Sequence, residues 1–217
     1  MRQRAFAAAR HVFIFVLASL ARRAAQGSEL ATGATPQGYY VINPKGDLQK
    51  TQESFEEYFR RRSTWDGVVG RPPPQEAYAA GLRERDLFVY CGHSAGEQFL
   101  RSDAVARLPR CASTLLMGCS SGRLRECGEC EPFGMPVAYL QGGCESLIAN
   151  LWDVTDKDID RFAKEVLRQW LDEDDRPAGE PFSVAMQKAR HVCRLKTLIG
   201  AAPVCYGVPA TVSGAAV

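Results

Sequence analysis

From Gly38 onward, short apolar runs alternate with segments whose apolar residues recur every three or four positions. That alternation is the signature of a mostly parallel sheet with helices packed on its faces. Tyr39-Tyr40-Val41-Ile42 reads as a first strand, ending at Asn43-Pro44. Between Thr51 and Arg62, Phe55, Tyr58 and Phe59 fall at helical spacing with charges between them, which predicts an amphipathic helix. Val68-Val69 is a weak strand before a turn at Gly70 and the loop of Pro72, Pro73 and Pro74. Two runs, Asp86-Leu87-Phe88-Val89-Tyr90 and Ser113-Thr114-Leu115-Leu116-Met117, read as strands, the first apolar enough for burial on both faces. The first leads into Gly92-His93 and the second into Gly118-Cys119.

Further along, a helix is predicted from Phe133 to Leu140, closed by Gly142-Gly143. A strand follows over Ser146-Leu147-Ile148-Ala149-Asn150-Leu151. The most legible helix begins at Thr155 as cap, with Asp158 at capping-box spacing. Its stripe is Ile159, Phe162, Ala163, Val166, Leu167, Trp170 and Leu171. Counted at about 100° per residue, Asp156 and Asp160 fall within that stripe and Asp158 outside it. Asp172 to Asp175 with Pro177 and Gly179 mark a loop, and Phe182, Ala185, Met186 and Ala189 a last helix. One domain over residues 38–210 is expected, with a short tail at 211–217.

Composition narrows the class more than the function. With 217 residues, 46% hydrophobic and 24% charged, the chain is long enough for one sizeable core. A net charge of +2 creates no global field to draw nucleic acid or an acidic membrane, and neither is expected as a partner. The eight cysteines read as reduced thiols, since Cys91, Cys111 and Cys119 lie in or beside apolar runs and a core of this size needs no staples. Cys127-Gly-Glu-Cys130 has no second pair at ligand spacing, so no metal is assigned. Residues 1–37 form an amino-terminal extension: Arg2, Arg4 and Arg10 precede an apolar run from Val12 to Leu20, which resembles a weak secretory or transit signal. That run is too short to span a bilayer, and is read instead as a helix of a longer parent protein or a non-native start.

Open parallel sheets carry their sites beyond the carboxyl ends of the strands, and two strands here end in reactive groups, His93 and Cys119. A thiol attacks a carbonyl as its thiolate, so a histidine that takes its proton and returns it to the departing amine completes the minimum machinery of acyl transfer. The backbone N–H groups of Ser94 and Cys119 are candidates to hold the oxyanion. By chemistry alone this pair is not distinguished from structural residues at strand ends. His11 and His191 lack a partner motif and read as structural, and neither Ser120 nor Ser121 sits in a Gly-x-Ser-x-Gly elbow.

Four segments together resemble the successive signatures of separases: Gly92-His93-Ser94-Ala95-Gly96-Glu97-Gln98-Phe99, Met117-Gly118-Cys119-Ser120-Ser121-Gly122, Asn150 to Arg161 (Asn-Leu-Trp-Asp-Val-Thr-Asp-Lys-Asp-Ile-Asp-Arg), and Leu195 to Pro203. Asn43-Pro44 and Trp65 to Gly70 also fit, so the similarity runs in order from Gly38 to Pro209. The resemblance implies a caspase-like α/β fold and a cysteine endopeptidase without cofactor or metal, His93 as base and Cys119 as nucleophile. It also implies cleavage of the kleisin subunit of cohesin after an arginine, release of sister chromatids in mitosis and meiosis, a nuclear and cytoplasmic, spindle-associated location, and a securin-like inhibitor lying in the active-site cleft. One position departs from the family: Ser94 follows the histidine where separases usually carry glycine.

Selectivity for arginine requires a carboxylate in a pocket, because a buried guanidinium is costly without an ionic, bidentate partner. The resemblance points to the segment after Thr155, with Asp160 first and Asp156 second, and Trp152 and Asp153 as walls. The plainer readings are that Asp156 complements the helix dipole, that Asp160 pairs with Lys164, and that Trp152 and Asp153 serve as core and turn. Two other functions fit the same residues: a different caspase-like arginine-directed protease, or a catalytically weak interaction fragment of a separase.

Overall fold

A computed structural model describes residues 36–128, 130–171, 180–208 and 210–211, without the side chains of residues 127, 130 and 131. Much of the amino-terminal extension, His11 included, the acidic loop at 172–179 and most of the tail lie outside it, as do the CxxC side chains.

The sheet is built from β1 (Gly38–Ile42), β2 (Trp65–Val69), β3 (Leu87–Cys91), β4 (Ser113–Leu116), β7 (Ser146–Asn150) and β8 (Pro203–Gly207). A separate hairpin is formed by β5 (Arg125–Cys127) and β6 (Cys130–Phe133). The sheet order is β2-β1-β3-β4-β7-β8, parallel throughout except for antiparallel β8 at one edge. β3 and β4 are therefore neighbours in the middle, which brings the residues after each to the same edge.

All five residues of β3 are buried because helices cover both faces. Alternation divides them: Leu87, Val89 and Cys91 join one core, Phe88 and Tyr90 the other. The first core contains α1 (Gln49–Arg60), α5 (Asp156–Leu171) and α6 (Phe182–Ala189) through Phe55, Phe59, Phe162, Val166, Trp170 and Phe182. The second contains α2 (Gln75–Glu84), α3 (Ser102–Ala106) and α4 (Met135–Gln141) through Tyr78, Leu82, Val105 and Tyr139.

The apolar stripe of α5 is buried as its periodicity predicts, from Ile159 to Trp170. Four elements carry weak sequence signals. α2 buries only Tyr78, Ala79, Gly81 and Leu82, α3 is a single turn, the β5–β6 hairpin is short and polar, and β8 is an edge strand.

Candidate active site

The exit of β3 is a tight turn. Tyr90 Oη donates to the His93 carbonyl at 2.7 Å and accepts from Gln98 Nε2 at 3.1 Å. Ser94 takes φ 55° and Gly96 φ 79°. A Cβ at Gly96 would lie 2.4 Å from the Tyr78 hydroxyl, so the chain passes there only as glycine. Ser94 carries a left-handed strain of about 1 kcal/mol that a glycine would avoid. His93 is half-exposed, with Nε2 3.0 Å from Asp47 Oδ2 in the β1–α1 loop.

The exit of β4 repeats the design. Gly118 is followed by Cys119 and then Ser120 at φ 52°. Ser120 N donates to the Trp152 carbonyl at 3.1 Å and its hydroxyl to Asp153 Oδ1 at 2.7 Å. Cys119 Sγ lies 3.3 Å from the Val154 carbonyl oxygen and 3.5 Å from the Val154 nitrogen. Asn150 Nδ2 donates to the Gly118 carbonyl at 3.1 Å, and Ser121 Oγ donates to Leu116 O at 2.9 Å while accepting from Asn150 N. Ser121 is therefore spent on structure.

Gly118 joins the two exits. A Cβ there would stand 1.8 Å from the Ser94 carbonyl oxygen and 2.7 Å from that of Gly92, so the backbones around His93 and Cys119 are in direct contact. Among the described residues neither Ser94 N nor Cys119 N donates a hydrogen bond. Both residues line a cavity of about 520 Å³, with Glu97, Arg123, Arg125 and Met135 farther along its wall. Two free N–H groups beside a thiol in an open cavity make a site able to receive a carbonyl whose oxygen becomes negative.

The carboxylates are arranged differently from the expected stripe. Asp160 is 7% exposed and accepts from Thr51 Oγ1 of α1 at 2.9 Å. Burial, with Asp156 adding, pushes its carboxyl up to about 6 against the opposing effects of Thr51 and Lys164. Lys164 itself lies over the Phe55 ring. Asp156, expected on the buried side, is exposed at the first turn, and Asp158, expected outside, is 4% exposed. The reason is the 193–200 segment, which covers that side of the helix. Asp158 accepts from Arg194 N at 3.2 Å, Leu195 N at 3.1 Å and Arg161 at 2.7 Å, so its carboxylate closes a loop instead of a capping box. Burial opposes ionisation of Asp158, but these donors outweigh it and hold the carboxyl below its usual range.

Asp153 is exposed and steadies Ser120; Trp152 is 37% exposed and donates Nε1–H to the Leu198 carbonyl at 2.8 Å. His191 is exposed, with Nδ1 bonded to the Lys188 carbonyl. Six described cysteines are free thiols; burial pushes Cys91, at the end of β3, far up, with Asp160 adding to it. Among the described residues no three His, Cys, Asp or Glu side chains converge as a metal site. Asp47 escaped the sequence reading, in which Asn43-Pro44 is only a strand end and part of the resemblance; Asn43-Pro44 followed by Gly46-Asp47 is the available signal.

The arrangement has counterparts in known proteins. A family model described as "Separin, protease domain" matches residues 4–159. Separin of Emericella nidulans is 48% identical over 180 residues, 79% of this chain and 9% of that relative. Separin of Mus musculus is 43% identical over 199 residues, 91% of this chain and again 9% of the relative. The crystal structure of the Saccharomyces cerevisiae separase–securin complex at 2.6 Å superposes with a TM-score of 0.77 at 35% identity, covering 87% of this chain and 13% of that one. The chain thus spans about a tenth of the length of the curated relatives it matches. By both sequence and fold, the chain belongs to the separin protease-domain family.

Proposed function

We propose that the chain is a cysteine endopeptidase domain in which Cys119 attacks the scissile carbonyl and His93 manages the proton. His93 takes the Cys119 proton; the thiolate adds to the carbonyl carbon, and its oxygen becomes negative between the N–H groups of Ser94 and Cys119. Collapse expels the amine, which receives the proton from His93 and leaves a thioester on Cys119. Water, deprotonated by His93, hydrolyses the thioester and restores the thiol.

The observation that supports this reading is the backbone contact at Gly118 between the turns after β3 and β4, with Ser94 and Cys119, whose N–H groups donate no hydrogen bond among the described residues, both lining one cavity. Asp160 is the carboxylate proposed to receive a substrate arginine: a buried acid whose ionisation is penalised gains most from a guanidinium. Asp156 is proposed as a second carboxylate for the same arginine, with Trp152 and Asp153 as flanking wall. The substrate is proposed to be a cohesin kleisin cut after arginine, in the nucleus and cytoplasm during chromosome segregation. A securin-like chain is proposed to occupy the same cleft, since securin is bound in the solved relative.

A fluorogenic peptide ending in arginine tests the reading. Hydrolysis by the chain and its loss in Cys119→Ser are expected, with a drop of at least about 1000-fold. An inactive wild type sinks it, and cleavage after lysine, leucine and arginine alike sinks the role of Asp160.

A further inference from the structure

We propose that Asp47 is a positioning residue for His93: its carboxylate fixes the imidazole as the Nε2–H tautomer and leaves Nδ1 to accept the Cys119 proton. The proposal rests on the catalytic reading above and adds a third member to the pair.

A carboxylate oxygen is an acceptor only, so the 3.0 Å approach of Asp47 Oδ2 to His93 Nε2 requires the proton on Nε2. The unshared pair is then on Nδ1, the nitrogen left to serve as base. An orienting partner of this kind is the general means by which proteins select one imidazole nitrogen for chemistry.

The loop that presents Asp47 is rigid, unlike an ordinary surface partner. Its anchor is Asn43, fully buried at φ 51°. Asn43 N donates to the Cys91 carbonyl at 2.9 Å, two residues before His93. Its side chain accepts from Leu48 N at 2.8 Å and donates to Gln52 Oε1 of α1 at 3.0 Å. Gly46, at φ 77°, turns the chain back by donating to the Asn43 carbonyl at 3.0 Å. Asp47 thus sits between two tied points, one on the strand that carries the base and one on the helix that carries Thr51, the partner of Asp160.

The contrast with the helical ion pairs is instructive. Glu57 with Arg61, or Asp103 with Arg107, joins an acid to a long arginine side chain on or beside one helix, where rotamer freedom erodes the gain. Asp47 and His93 are 46 residues apart, have two side-chain torsions each, and meet from two separately anchored turns.

Asp47→Ala and Asp47→Asn in the full chain test the proposal by two readouts. In the long-range ¹H–¹⁵N spectrum of the histidine rings, wild-type His93 should be the Nε2–H tautomer. It should become a mixture in Asp47→Ala and stay Nε2–H in Asp47→Asn, whose amide oxygen still accepts. On the arginine peptide, Asp47→Ala should lower kcat about 10-fold or more with KM within about twofold, and Asp47→Asn should recover most of kcat. A wild-type Nδ1–H tautomer, an unchanged spectrum in Asp47→Ala, or an effect confined to KM would overturn it. A wild type without turnover would overturn the catalytic reading and the catalytic role of Asp47 together; a normal wild type with an unaffected Asp47→Ala would overturn this inference alone.

Discussion

The exits of β3 and β4 are two versions of one device, held in place by opposite means. Each runs from an apolar strand into glycine, then the reactive residue, then a serine at left-handed φ: Gly92-His93-Ser94 and Gly118-Cys119-Ser120. The β4 exit is bound by its sheet neighbour, since Asn150 at the end of β7 and Trp152, Asp153 and Val154 beyond it all contact residues 118–120. The β3 exit is bound from beneath by Tyr90 and from the side by the Asp47 loop. On the proposed mechanism a nucleophile must stay on one line of approach, and groups at and just past the end of the neighbouring strand hold it there. A base must keep one ring nitrogen free, and a side-chain partner on its other nitrogen does that.

The most severe way to break the comparison is at the shared wall. Gly118→Ala puts a methyl 1.8 Å from the Ser94 carbonyl oxygen, and neither strand end can retreat without losing its bonds. A loss of about 3 kcal/mol or more is expected, read as a fall of roughly 6–12 °C in a thermal melt. An unchanged melt would mean that the two exits are not in contact.

Asp160→Asn comes next and separates stability from binding. Burial raises the folded carboxyl from 3.8 to about 6, so the folded chain holds that proton more tightly than the unfolded one. The resulting cost is present above pH 6 and disappears as pH falls through 6 toward 4. The substitution should therefore stabilise the protein at pH 7.5, by at most about 3 kcal/mol, with the gap from wild type closing at pH 4. Its KM for the arginine peptide should rise about 100-fold, and wild-type KM should rise as the pH drops below 6. A gap that does not vary with pH would refute the assignment.

Much of this site is legible in the sequence, because the strands are apolar runs that end in glycine and the reactive residue follows at once. The carboxylates were less legible. Helical angles place Asp156, Asp158 and Asp160 relative to α5 alone, whereas burial at the first turn is decided by what else arrives there. The 193–200 segment covers Asp158, and Asp156 is left in solvent. Asp47 carried no periodicity at all, being a loop residue whose partner is 46 positions away.

The smallest effect distinguishes the two serines. Ser94 is exposed and, among the described residues, no side-chain bond involving its hydroxyl offsets its φ of 55°, so Ser94→Gly should gain about 0.5 kcal/mol once the added freedom of the unfolded chain is counted. Ser120→Gly relieves a similar angle but forfeits the 2.7 Å bond to Asp153, and should lose about 0.5 kcal/mol. Denaturant titration of both variants reads the sign; equal signs would remove the distinction.

The sequence separations within the site also bear on when it forms. Thr51 meets Asp160 across 109 positions, Cys119 meets Val154 across 35, and His93 meets Asp47 across 46. Closing loops of those lengths is slow, and few of the contacts are made inside a single element. During synthesis, a chain that has emerged only as far as the turn after β4 carries both His93 and Cys119 but lacks the segment after β7 that holds the thiol and the helix that carries Asp160. Completion of the candidate site is thus deferred to the last stage of folding, and by topology a nascent or broken chain does not assemble it.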